Sequence, residues 1–292
     1  MLIGAHPEPG EECLVRVGPT RQAIVSWNAR ELEGGIDVRV NAQDGRTSAW
    51  LPYVVFSADR RSSLDGADTF ARFETDVLRC DVDIVSLGVR SCGPLDALYV
   101  GVPDYGAPSS FVALPALDCD VPEISQHDPA YPDQRGWCGP ASLAMILAYH
   151  AYPLEVPRIA REVFDARYGG TGNWTFGAAF AAMLGFRAAV VPLRDLAHAH
   201  AFLADDVPLA LSISWKPGEL RGAPLPSSDG HIVVLRGIAE NGDALVNDPA
   251  HPGVATTYAR GEFERAWLGH GGIAIAIVPA PLGESLARLA NT

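Results

Sequence analysis

The chain has 292 residues and carries 22 Lys and Arg against 35 Asp and Glu, a net charge of −13 at neutral pH. This acidic balance disfavours nucleic acids and anionic membranes as partners, since both bind basic surface. The apolar share of 48% is ordinary for a globular protein, and the length predicts two domains. No apolar run reaches the roughly 18 residues of a membrane span, and no signal peptide is visible, so the compartment stays open.

Short alternating apolar runs fill the first part of the chain. They lie at residues 23–27, 36–40, 48–56, 73–78, 82–89 and 97–102. Successive apolar residues within a run share one face of a strand, and turn signals such as Asp44-Gly45 separate the runs. The pattern predicts an all-β sandwich domain over residues 1–118.

The pattern changes near residue 118, after which helices come first and strands later. Helices are predicted at residues 138–150, 156–168, 173–186 and 195–206. Strands are predicted at residues 187–193, 207–215, 231–238, 243–249 and 272–278. This order predicts an α+β domain over residues 119–292, with helices packed on an antiparallel sheet.

Five cysteines are present, at positions 13, 80, 92, 119 and 138. The number is odd, so at least one is unpaired within the chain. The absence of a CxxC pair argues against a structural zinc site. Cys80 lies in an alternating apolar stretch and is predicted to be a buried thiol. The sequence does not decide whether two of Cys13, Cys92 and Cys119 form a disulfide.

Cys138 has the surroundings of a reactive thiol. It lies at the start of a predicted helix, where unpaired N–H groups and the helix dipole favour a negative charge. That position lowers the pKa of a thiol, and the thiolate is the attacking form. The backbone N–H of Cys138 could also donate to an oxyanion. We therefore predict that Cys138 is a nucleophile.

His231 and Asp248 are the candidate partners of that thiol. His231 begins a predicted strand, and Asp248 lies on the next one. Adjacent antiparallel strands would place the carboxylate beside the imidazole and hold it in the useful tautomer. The imidazole would then act as the base for a nearby thiol. Asn247 is the alternative orienting residue, because an amide fills this role in some cysteine proteases.

Several stretches of the second half form a series in a fixed order. They are VPEISQ at 121–126, WCGPASLAMILAYH at 137–150, GTGNW at 170–174, GHIVVLRGIAENGDALVNDPA at 230–250 and FERAW at 263–267. Over residues 120–279, this series resembles the C39-like peptidases of bacteria, within the papain-like cysteine peptidase superfamily. The resemblance implies a papain-like fold and a peptide or protein substrate. It also implies a catalytic triad of Cys138, His231 and Asp248.

The resemblance further implies a glutamine before the cysteine as a second oxyanion donor. Gln126 ends the VPEISQ stretch, twelve residues before Cys138, whereas Gln134 is only four residues before it. We favour Gln126, with the intervening residues as a loop insertion. Gln134 is the alternative.

The predicted function is therefore cleavage of a peptide or amide bond through a thioester. Acyl transfer by the same triad is one alternative. A non-catalytic binding protein on a papain-like scaffold is another. No Gly-rich loop follows a strand, and the histidines show no ligand spacing, so we expect neither cofactor nor metal. The oligomeric state stays open.

Overall fold

The computed structural model describes residues 1–30, 33–57, 60–103, 112–131 and 136–291, apart from the side chains at 284, 285 and 287. Within these ranges the chain forms fifteen β-strands and six α-helices. No helix of the described part is long and apolar enough to cross a membrane.

Eight strands of the first half form one antiparallel sheet. They are β1 (Leu2–Ala5), β2 (Cys13–Asn28), β3 (Gly34–Ala42), β4 (Leu51–Phe56), β5 (Arg61–Ser63), β6 (Ala71–Glu74), β7 (Val77–Ser91) and β8 (Ala97–Gly101). Their order is β1-β8-β2-β7-β3-β4-β5, with β6 paired to β7. This half is all-β as predicted. Hydrogen bonds join all eight strands into a single sheet. The arrangement of this half as a sandwich of two layers stays a prediction.

The two longest strands, β2 and β7, change register twice along their pairing, between Arg16 and Thr20 and between Thr20 and Gln22. Such irregularities bend and twist a strand. Beyond the bend, residues 23–28 of β2 are buried on both faces. Elements of the second half pack against this segment and cover the face that would otherwise meet water.

The prediction of one strand over residues 73–78 is wrong. β6 ends at Glu74 and β7 begins at Val77, and these two residues pair across a two-residue turn. Thr75 in that turn has a φ of 57°. This left-handed backbone normally favours glycine or asparagine. Neither Thr75 nor Asp76 is one of these, so the turn residues do not predict the hairpin.

The second half combines a second antiparallel sheet with helices. Its elements are β9 (Leu117–Asp118), α1 (Cys138–Tyr149), α2 (Val156–Glu162), α3 (Trp174–Met183), β10 (Phe186–Pro192), α4 (Leu196–Ala204), β11 (Leu209–Trp215), β12 (Ser228–Ile238), β13 (Ala244–Asn247), β14 (Ala255–Tyr258), α5 (Arg260–Leu268), β15 (Ile273–Pro279) and α6 (Gly283–Leu289). The strand order is β10-β15-β11-β12-β13-β14, with β9 paired to β12. This is the predicted α+β class, with helices on an antiparallel sheet.

Helix α2 is shorter than predicted, because it ends at Glu162 rather than near residue 168. The buried carboxylate of Asp165 accepts backbone N–H groups of Arg167 and Tyr168, at 3.0 and 3.3 Å. A side chain that takes up these N–H groups stabilises a turn in place of another helical turn.

The two halves share one hydrophobic core. The ring of Trp27 on β2 meets that of Phe176 on α3, with centroids 5.9 Å apart. The buried Asn28 side chain donates to the carbonyl of Ala188 at 2.6 Å and accepts its N–H at 3.2 Å. The two sheets therefore pack directly on each other. Residues 117 and 118 form β9, which pairs with β12, so the second sheet begins just before the predicted division at residue 118. As a domain boundary it stays a prediction.

All five cysteines are free thiols. The disulfide left open among Cys13, Cys92 and Cys119 is therefore not formed. Cys80 is buried on β7, as predicted. Cys138 is only partly buried, which leaves its sulfur within reach of a substrate.

Candidate active site

The position of Cys138 is fixed by the N-terminal end of α1. A Cβ on Gly139 would lie 2.9 Å from the carbonyl oxygen of Thr171, so only glycine permits this close approach. The Thr171 hydroxyl donates to the carbonyl of Gly136 at 2.6 Å, just before the helix. One turn later, the Ser142 hydroxyl donates to the Ile232 carbonyl on β12 at 3.0 Å. These contacts hold the start of α1 against the strand that carries His231.

The thiol of Cys138 and the imidazole of His231 lie close enough for each to shift the pKa of the other. Burial alone would raise the pKa of the thiol. The neighbouring His231 and its charge outweigh this effect, aided by the N–H groups of Ile232 and Gly139, and the pKa of Cys138 is lowered. The result is the stabilised thiolate that a nucleophilic cysteine requires.

His231 is 4% exposed and lies between Cys138 and Asp248. Its Nε2 donates to Oδ1 of Asp248 at 2.7 Å, so Nδ1 is the nitrogen left to face the sulfur. Burial alone would lower the pKa of the imidazole. The hydrogen bond to Asp248 and the interaction with Cys138 reverse that effect and raise the pKa to about 10. Near neutral pH His231 is therefore protonated, and its charge favours the thiolate form of Cys138.

Asp248 is fully buried and fully hydrogen-bonded. Besides His231, its Oδ1 accepts the N–H of Ala250 at 2.9 Å, and its Oδ2 accepts the Tyr258 hydroxyl at 2.7 Å. Burial would raise the pKa of the carboxyl, but these donors, His231 first, lower it. The sequence did not single out Tyr258. Tyr258 ends β14 opposite Ala244, and its long side chain brings the hydroxyl to Asp248.

Asn247, the alternative orienting residue, points elsewhere. Its side-chain amide donates to the carbonyls of Val121 and Pro122, at 3.0 and 3.4 Å. Consecutive residues of a strand face opposite sides, so the amide cannot share the position of Asp248. Asn247 instead anchors the segment that leads toward Gln126.

Gln126 is 8% exposed. Its backbone N–H donates to the Pro249 carbonyl at 2.9 Å, which places it beside the loop that follows Asp248. Its Oε1 is buried without a hydrogen-bond partner among the described residues. No described hydrogen bond joins Gln126 to Cys138 or His231. The alternative, Gln134, lies outside the described residues.

A cleft of about 840 Å³ opens beside Cys138. Its aromatic lining includes Trp137, Tyr168 and Trp174. Asn173 does not line it. The side-chain oxygen of Asn173 caps α3 by accepting the N–H groups of Thr175 and Phe176. Residues 74–77, the tip of the β6–β7 hairpin, also line this cleft, which the sequence did not predict.

Comparison with known proteins places the second half of the chain in a family context. Residues 119–275 match the model of the Peptidase_C39 like family. No curated protein matches the chain. The family match leaves the first 118 residues, including the hairpin, outside it.

Three solved structures are similar to parts of the chain. One is a putative C39-like peptidase from Bacillus anthracis, with 18% identity and a TM-score of 0.44, covering 56% of this chain and 98% of that one. The second is the peptidase domain of Streptococcus ComA, a bi-functional ABC transporter, with 22% identity, a TM-score of 0.38, and coverages of 54% and 97%. The third is a double glycine motif protease from an AMS/PCAT transporter in complex with the leader peptide, with 23% identity, a TM-score of 0.38, and coverages of 56% and 94%.

Proposed function

Because the chain belongs to the Peptidase_C39 like family, we propose that it is a cysteine peptidase that cleaves a peptide or amide bond with Cys138. The observation that carries the proposal is the buried chain of contacts from the Cys138 thiol through His231 to Asp248. Such a chain supplies a nucleophile, its proton-transfer partner and the group that orients that partner.

In the first half-reaction, the Cys138 thiolate attacks the carbonyl carbon, and the π electrons of the carbonyl move to its oxygen. When this tetrahedral species collapses, the C–N bond breaks and the Nδ1–H of His231 protonates the departing amine. The acyl group remains on Cys138 as a thioester. Asp248 stays ionised and holds the imidazole by its Nε2–H.

In the second half-reaction, neutral His231 takes a proton from water as the water oxygen attacks the thioester. The C–S bond then breaks, the carboxylic product leaves, and the thiolate and imidazolium are restored. We propose the backbone N–H of Cys138 and the side chain of Gln126 as donors to the oxyanion in both steps. The burial of Gln126 beside the Asp248 loop supports this role, and Gln134 remains the alternative.

The proposal is tested with a library of peptides made by digesting a reduced and alkylated protein mixture. Wild-type protein should create new peptide ends that mass spectrometry detects, and the Cys138→Ala variant should create none. Cys92→Ala is the matched control, because Cys92 is an exposed thiol of the first half. Equal products from wild type and Cys138→Ala, or none from either, would contradict the proposal.

The same experiment separates hydrolysis from acyl transfer. Adding a simple primary amine in excess gives acylated amine if the thioester accepts amines, and the free carboxylate if water alone reacts. We propose hydrolysis and therefore expect the carboxylate as the main product.

A further inference from the structure

The catalytic cleft continues into a second cavity of about 390 Å³, here called the side cavity. Val77, Trp174 and His270 line both spaces. The ring of Trp174 meets that of His270 edge to face, with centroids 6.0 Å apart. The two spaces therefore adjoin along one shared border.

The floor of the side cavity belongs to the first half of the chain. Gln22 and Ile24 on β2 pair across the strands with Arg79 and Val77 on β7, and all four residues line the cavity. Gln22 and Ile24 are two residues apart, so they share one face of the strand. The opposite side is formed by residues 269–273, which follow α5.

The border is held in place by Asp76 at the tip of the β6–β7 hairpin. Its Oδ2 accepts the N–H of Trp174, the first residue of α3, at 2.9 Å. The side chain of Asp76 is 6% exposed. The hairpin is therefore docked on the second half at the point where the cleft and the side cavity meet.

We propose that the side cavity extends the substrate groove, so that a polypeptide substrate runs from Cys138 past Val77 and Trp174 onto the β2–β7 surface. This inference rests on the proposed peptidase function. It assigns a substrate class, extended polypeptide chains, and it gives the first half a part in binding them. The family match begins at residue 119, so this part of the groove lies outside the matched region.

The lining suits an extended chain. Gln22 and Arg79 are the polar side chains of the lining, and Arg79 also pairs with Glu74. Val77 gives partly exposed apolar surface for substrate side chains, and the buried Ile24 and Ile273 complete the lining. A strand advances about 3.3 Å per residue, so only peptides with several residues on one side of the scissile bond reach the side cavity.

The test uses a peptide that wild-type protein cleaves in the library experiment. It is resynthesised with residues removed one at a time from each end, and kcat/KM is measured for each length. We expect kcat/KM to fall by about fivefold or more on truncation from one end only, mainly through KM.

Gln22→Trp fills the side cavity and should remove this length dependence, bringing the long peptide down to the kcat/KM of the short one. Gln22→Arg serves as a second filling variant if the tryptophan impairs folding. Arg21→Trp is the matched control, because Arg21 is the neighbouring residue on β2, does not line the cavity, and has a side chain 62% exposed. The rate of Cys138 alkylation by iodoacetamide should be the same in all of them.

A kcat/KM independent of peptide length, or a length dependence that both filling variants retain, would overturn the inference and leave the peptidase proposal intact. A wild-type protein that cleaves no library peptide would instead overturn the proposed function and this inference with it.

Discussion

The two halves of the chain contribute different things to one cleft. The second half supplies Cys138, His231 and Asp248, with His231 hydrogen-bonded to Asp248 and close enough to Cys138 to lower the pKa of its thiol. The first half supplies the hairpin of residues 74–77, which is docked through the buried Asp76. Changes in the second half should therefore alter the chemical step, whereas changes in the first should alter docking and substrate binding.

The largest effect is expected for Cys138→Ala. Without a nucleophile, cleavage should fall by at least about 10⁴-fold, as loss of a member of a catalytic triad does elsewhere. The free energy of unfolding should change by less than about 1 kcal/mol, because the site is partly exposed. Peptide cleavage and urea unfolding measure the two quantities. If Cys138→Ala retained a tenth of the wild-type rate, Cys138 would not be the nucleophile.

Asp248→Asn should rank second, with a loss of about 10²- to 10⁴-fold in kcat. The carboxylate raises the pKa of His231 to about 10, so its removal lowers that pKa and leaves less imidazolium near pH 8 to stabilise the thiolate. The pH profile of Cys138 alkylation should therefore shift toward that of an ordinary thiol. Asn247→Ala is the control, since that side chain contacts Val121 and not His231. An unchanged profile in Asp248→Asn would contradict this role.

Asp76→Asn tests the docking of the first half. Burial raises the pKa of Asp76 to about 7, from its ordinary value of 3.8. Between these pH values the native state holds a proton that the unfolded state has lost, so ionisation of Asp76 makes wild-type stability fall as pH rises through this range.

The Asp76→Asn variant has no such ionisation, and its amide oxygen can still accept the Trp174 N–H. Its unfolding free energy, relative to wild type, should rise by on the order of 4 kcal/mol from pH 4 to pH 8. Unfolding by urea at both pH values measures this difference. A difference that does not depend on pH would show that Asp76 titrates normally and that the hairpin is not docked through a buried carboxyl.

The smallest effect is expected for Tyr258→Phe. It removes one of three donors to Asp248, so the carboxylate keeps its bond to His231. A hydrogen bond to a charged group contributes about 1.5–3 kcal/mol, and only part of that reaches the chemical step. We expect kcat to fall by about three- to tenfold. A loss as large as that of Asp248→Asn would mean that Tyr258 itself takes part in the proton transfer.

The two halves of the chain also differ in how much of their contribution to the cleft the sequence could predict. The sequence predicted Cys138 at a helix start, His231 at a strand start and Asp248 on the next strand, and this spacing and chemistry were enough to propose their contact. In the structure His231 is the fourth residue of β12 and Asp248 directly follows β13. Tyr258 lies opposite Ala244 in the β13–β14 pair, and only its side chain reaches Asp248. No local pattern predicts that contact.

The contribution of the first half could not be predicted for a similar reason. The turn at Thr75 and Asp76 has no glycine or proline to mark it. Its position at the cleft depends on the packing of two sheets and on one hydrogen bond to Trp174. Contacts of this kind, between distant parts of the chain, produce no periodic pattern in the sequence of either part.

The central claim, an activated pair of Cys138 and His231, is tested most directly by the pH dependence of Cys138 alkylation with iodoacetamide. Mass spectrometry assigns the modified cysteine, and the wild type is compared with His231→Ala. We predict that the wild-type rate stays high well below pH 8 and that it collapses in the variant at the same pH. Alkylation rates that follow the pH profile of an ordinary thiol in both proteins, with a pKa of about 8.5, would contradict the claim.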